Sequence, residues 1–117
     1  MTSCNPDNYY TLKRQTTFNS LRFTLPYDIS NKLVRIDFRD ASTNALILSL
    51  SSDDTEGSYI LKDSANSLMP IISAEDTESF LENSLYKFDI ALVEGIEIKR
   101  LPTIYTIRAL PFVTDVL

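Results

Sequence analysis

Lys32-Leu33-Val34-Arg35-Ile36-Asp37-Phe38-Arg39 is the stretch on which the fold turns. Val34, Ile36 and Phe38 alternate with Arg35, Asp37 and Arg39, and a period of two puts the apolar set on one side of a strand and the charged set on the other. Leu21-Arg22-Phe23-Thr24-Leu25 upstream has the same alternation, and Pro26 ends it because proline carries no ladder donor. Phe18 is out of phase with that set, which predicts an irregularity near Asn19-Ser20. Downstream, Tyr86-Lys87-Phe88-Asp89-Ile90-Ala91-Leu92 repeats the pattern, Glu94-Gly95 supplies a tight turn, and Ile96-Glu97-Ile98-Lys99 runs back as a hairpin arm.

Weaker strands are predicted over Tyr9 to Lys13, Ala45 to Leu50, Ser58 to Lys62, Leu68 to Ile72 and Ile104 to Leu110. The turns between them are built from Asn, Asp and Ser, whose side chains bond their own backbone. One helix of about two turns is expected over Ala74 to Leu81, capped by Ser73, with Phe80 and Leu81 docking on the core. About eight strands and one short helix, with no βαβ order, predict an all-β antiparallel sandwich, Ig-like or jelly-roll-like. The expected organisation is an N-terminal arm at 1–8, one sandwich domain over 9–110 and a tail at 111–117, because 117 residues with 44% apolar side chains suffice for one core.

Composition narrows the function classes. The chain has 16 acidic and 11 basic residues, a formal charge of −5 and a pI near 4.6, so nucleic acid and anionic membranes are not expected partners. With no histidine, imidazole bases, Ser-His dyads and histidine metal ligands are excluded. Two isolated glycines, Gly57 and Gly95, exclude a glycine-rich phosphate cradle, and the one cysteine, Cys4, excludes both an internal disulfide and a thiolate zinc site. Cys4 reads as a bystander near an N-terminus without the features of a secretory signal. Asp53, Asp54 and Glu56, and again Glu75, Asp76 and Glu78, are close in sequence, but their spacing fits no calcium loop, so neither a metal nor a cofactor is expected.

What remains is contact chemistry. Phe23, Phe38, Tyr86 and Phe88 are in phase with inward positions and read as core, while Tyr9, Tyr10, Tyr27 and Tyr59 are less constrained and could line an interface. Arg35, Asp37 and Arg39 on one strand and Lys87 and Asp89 on another are expected to form a cross-strand charge ladder. Such a ladder would select a partner if two subunits met there. Phe112, Val116 and Leu117 in the apolar tail complete the interface candidates.

Several stretches together resemble a family of small β-sandwich domains in tailed bacteriophages, including the virion-attached N-terminal domain of upper-baseplate proteins and related short tail proteins. They are Lys13-Arg14-Gln15-Thr16-Thr17-Phe18, Leu21 to Leu25, Asp28-Ile29-Ser30, Val34 to Arg39, Ile71 to Thr77, Leu85 to Ile90 and Thr106 to Leu110. Gln15 and Thr16 stand where that family has Gly-Asp, and Ser84 stands where it has a glycine. The resemblance implies a non-enzymatic structural role in the tail, baseplate or neck. It also implies a homo-oligomer forming a ring or collar, docking to other virion proteins, and folding in the host cytoplasm before incorporation into the virion. Two other classes compete: a sandwich that recognises carbohydrate or a host receptor through loop 53–57 and Tyr59, and an accessory protein that binds a host protein.

Overall fold

The computed structural model describes residues 9–110, so the arm at 1–8, the tail at 111–117 and the candidates Phe112, Val116 and Leu117 lie outside the described residues. Nine strands follow in order: β1 (Tyr9–Lys13), β2 (Phe23–Thr24), β3 (Leu33–Asp40), β4 (Leu46–Ser51), β5 (Tyr59–Ser64), β6 (Ser67–Ile71), β7 (Leu85–Glu94), β8 (Glu97–Arg100) and β9 (Tyr105–Leu110). They form two sheets. The larger has the order β1-β9-β7-β3-β4, with β8 also on β7, and the smaller has the order β2-β6-β5. The fold is an all-β sandwich.

The predicted phase of the deciding strand holds in three dimensions. Val34, Ile36 and Phe38 of β3 and Tyr86, Phe88, Ile90 and Leu92 of β7 are buried in one core cluster, which takes in Phe18, Phe23, Leu68, Ile72 and Phe80 from the opposite layer and its connections. Phe38 meets Phe80 edge-on at 5.5 Å, Phe80 meets Tyr86 at 4.8 Å, and Phe23 meets Phe88 across the layers at 6.2 Å. Edge-to-face contacts of this kind add about 0.5–1.5 kcal/mol each to the burial term.

Three expectations are corrected. Of the helix expected at Ala74 to Leu81, only one 3-10 turn forms, at Asp76–Ser79. Ser73 does serve its start, accepting the Asp76 N–H on its hydroxyl at 3.1 Å, and Phe80 is buried, but Leu81 points to solvent. Eight residues give too few internal bonds to offset helix nucleation, and Phe80 leaves the turn in extended conformation to reach the core. The strand expected over Leu21 to Leu25 shrinks to Phe23–Thr24; the irregularity foreseen after Phe18 is real, with Phe18 bridging Ile72 alone. The sheet is also not wholly antiparallel, because β1 runs parallel to β9, from Tyr9 opposite Thr106 to Lys13 opposite Leu110.

Local chemistry explains the connections. The β7–β8 turn is Gly95-Ile96, with Glu94 opposite Glu97, and Gly95 has the positive φ (64°) that a two-residue hairpin requires at its first loop position. On the same edge of β7, β9 pairs with the first half and β8 with the second. Pro102 lies in the break between them, and Leu101 N–H donates to the Ile90 carbonyl at 2.9 Å to hold it. Gln15, at the place where the resembled family has glycine, is left-handed (φ 65°), and its N–H donates to the buried Thr77 hydroxyl at 2.8 Å. Lys62 caps the 29–32 loop by donating to the carbonyls of Ile29, Ser30 and Lys32 at 3.0, 3.3 and 2.6 Å.

Candidate functional site

The charged residues singled out in sequence converge on the outward face of the larger sheet. Alternation on β3 and β7 puts Arg35, Asp37, Arg39, Lys87 and Asp89 on the side away from the core. With Arg100 of β8 and Ile104, four of them line a recess of about 220 Å³: Asp37, Arg39, Lys87 and Asp89. The face is therefore not flat, and Asp37, Arg39, Lys87 and Asp89 are half-buried while Arg35 and Arg100 are exposed.

Their register does not give the opposite-charge pairs that would make the expected cross-strand ladder favourable. Asp37 is directly opposite Asp89, and Arg39 is directly opposite Lys87, so each cross-strand pair has charges of one sign. Like charges in direct opposition are unfavourable. The carboxylates relieve this by turning to other cations: Asp37 lies 3.6 Å from Arg35 and accepts from the Ser49 hydroxyl, while Arg100 donates to Asp89 at 3.3 Å. Arg39 donates only to the Asn44 carbonyl at 3.2 Å, and among the described residues neither Arg39 nor Lys87 has a carboxylate within 4.0 Å.

A wider asymmetry, which the sequence reading missed, frames this patch. The strand registers put Lys13, Arg35, Arg39, Lys87, Arg100 and Arg108 outward on the larger sheet, against only Asp37 and Asp89. The chain's formal charge is −5, yet this face has a surplus of four positive charges. Residues 40–86 hold nine Asp and Glu and one basic residue, Lys62. Counting charge by segment instead of over the whole chain would have shown the division in advance. Apolar side chains surround the basic patch: Leu46, Ile98 and Ile104 are 52%, 58% and 62% exposed.

Elsewhere the groups are structural. Tyr86, fully buried, accepts the Leu81 N–H on its hydroxyl at 2.6 Å, two positions before Phe88 at the start of β7, the geometry of a tyrosine corner. Asp40 accepts from the N–H groups of Thr43 and Ser42, and Asp28 from the hydroxyl and N–H of Ser30; these bonds hold both carboxyls below the usual aspartate range. Burial, with Tyr10 alongside, pushes the Tyr105 hydroxyl up. Among the described residues no three His, Cys, Asp or Glu side chains converge as metal ligands. On the smaller sheet's flank, Asp54, Tyr59, Leu61 and Lys62 line a second recess of about 290 Å³.

Placing β2-β6-β5 against β4-β3-β7-β9, with a tyrosine corner on β7, is the immunoglobulin-like arrangement, which settles the sandwich in favour of that topology over a jelly roll. This chain is thus an immunoglobulin-like sandwich with a basic, apolar-rimmed sheet face. No protein-family profile and no curated protein matches it. Among solved structures, a crystal structure of the ZIG-8–RIG-5 IG1–IG1 heterodimer aligns with 97% of this chain and 90% of its own, at 13% identity and a TM-score of 0.46.

Proposed function

We propose that this chain is a non-enzymatic adaptor in a tailed-phage virion, in its tail, baseplate or neck, which docks neighbouring proteins through the outward face of the larger sheet. The observation that carries the docking role is the Arg39–Lys87 pair: two half-buried cations directly opposite each other, without a described carboxylate partner and ringed by exposed Leu and Ile. A covering acidic surface would supply the missing counter-charges and bury the apolar rim. The virion setting follows from the resemblance of the strand-and-turn pieces to phage sandwich domains. In that setting the chain folds in the host cytoplasm and takes its place in a ring or collar.

Mass spectrometry of purified particles tests the setting, and Arg39→Glu/Lys87→Glu tests the face. The chain is expected in wild-type particles, with the double variant folded but not incorporated. Particles lacking the chain would refute the virion role. The recess beside Tyr59 supports a second reading, a module that binds carbohydrate there, since it brings together two residues the sequence had named, Asp54 and Tyr59. Glycan binding abolished by Tyr59→Ala would favour that reading.

A further inference from the structure

We infer that the larger sheet's outward face is covered by the acidic flank of a second copy of this chain, in a head-to-tail contact. The inference rests on the docking role proposed for that face and names its occupant. A patch with a surplus of cations needs an acidic counterpart, and the chain carries one itself. Asp53, Asp54 and Glu56 lie in the β4–β5 connection, and Glu75 and Glu78 beside the 3-10 turn; all five are exposed. None of their carboxylates has a cation within 4.0 Å among the described residues, although Arg14 donates to the backbone carbonyl of Glu78 at 3.4 Å. The two acidic stretches are stitched into one flank, because Ser73 N–H donates to the Ser58 hydroxyl at 2.9 Å and that hydroxyl donates to Asp76.

The basic and acidic surfaces occupy different parts of the molecule, so a contact between them is heterologous. Each copy then keeps one basic face and one acidic flank unused, and the assembly either closes into a ring or continues as a filament. A symmetric face-to-face dimer would instead bring the six outward cations of one copy against the six of the other. A nucleic acid would satisfy the cations but not Leu46, Ile98 and Ile104, the exposed apolar rim.

Sedimentation of the full chain tests this with two variants, Arg39→Glu/Lys87→Glu on the face and Asp53→Lys/Asp54→Lys/Glu56→Lys on the flank. Wild type is expected to self-associate, more weakly as salt rises. Each variant alone should lose association by more than about tenfold, with its melting transition unchanged, because the face variant's surplus of four positive charges falls to zero and the flank variant's five named carboxylates give way to a net positive flank. An equimolar mixture should pair again, since the flank variant's intact basic face meets the face variant's intact acidic flank. A mixture that stays monomeric overturns the inference, as does a flank variant that still associates while the face variant does not. Wild type that is monomeric at low salt overturns it too. If the face variant is nevertheless excluded from particles, the docking role stands with another occupant. Binding of wild type to a DNA oligonucleotide, lost in the face variant, would reassign the occupant to a polyanion.

Discussion

The two faces of the β3–β7 pair are built on one register but follow opposite rules. Inward, Phe38 lies opposite Phe88 and Ile36 opposite Ile90, like beside like, and water is excluded from both. Outward, like also faces like, Asp37 opposite Asp89 and Arg39 opposite Lys87, but there the likeness is electrostatic and unfavourable. Apolar pairing on the inside stabilises the subunit on its own. Charge pairing on the outside costs the isolated subunit a little, a cost that the proposed docking partner would offset.

The inner face should dominate stability. Phe38→Ala is expected to lower unfolding free energy by about 3–5 kcal/mol in urea denaturation, because it empties a fully buried ring site; a near-neutral result would break the contrast between the faces. Tyr86→Phe should cost on the order of 1 kcal/mol by the same measurement, since the Leu81 N–H loses its acceptor while the ring stays packed.

The outer face should behave in the reverse sense. Lys87→Thr is expected to raise subunit stability by about 0.5 kcal/mol, removing the like charge opposite Arg39, and to weaken docking at the same time. Arg39→Ala should change stability by well under about 1 kcal/mol. Stability and docking falling together in either variant would show that the outer charges serve the fold. The smallest effect belongs to pH. Asp40 is held low by its turn bonds, so its contribution is complete above the ordinary carboxylate range, about pH 4, and is lost as pH falls through the lowered native value. Asp40→Asn should flatten that acid limb in melting temperatures recorded against pH.

Alternation made most of this sheet readable in advance. Tyr9–Lys13 has the bounds predicted for it, and β3 and β7 have the predicted phase, because a two-residue period with bulky apolar groups admits one buried side. The same period names the residues of the recess, since Arg35, Asp37 and Arg39 must share a face once Val34, Ile36 and Phe38 are inside. It cannot say which residue faces which across strands. The opposition of Arg39 to Lys87, and the parallel course of β1, are set by turns and long-range pairing that leave no local mark. Ser73 and the following acids suit an α-helix and a 3-10 turn equally, and the demand of the Phe80 pocket decides between them.

The split edge of β7 divides its partners into unequal halves. β9 is backed by the core and by β1, whereas every residue of β8 is exposed, so the β7–β8 hairpin tip is held by little more than its own ladder. Amide protons of Glu97 to Arg100 should therefore exchange with solvent well before those of Tyr105 to Leu110, through a local opening that leaves the remainder of the sheet closed. Pro102 acts as a firebreak: fraying that begins at Ile96 has no continuous strand along which to spread into β9.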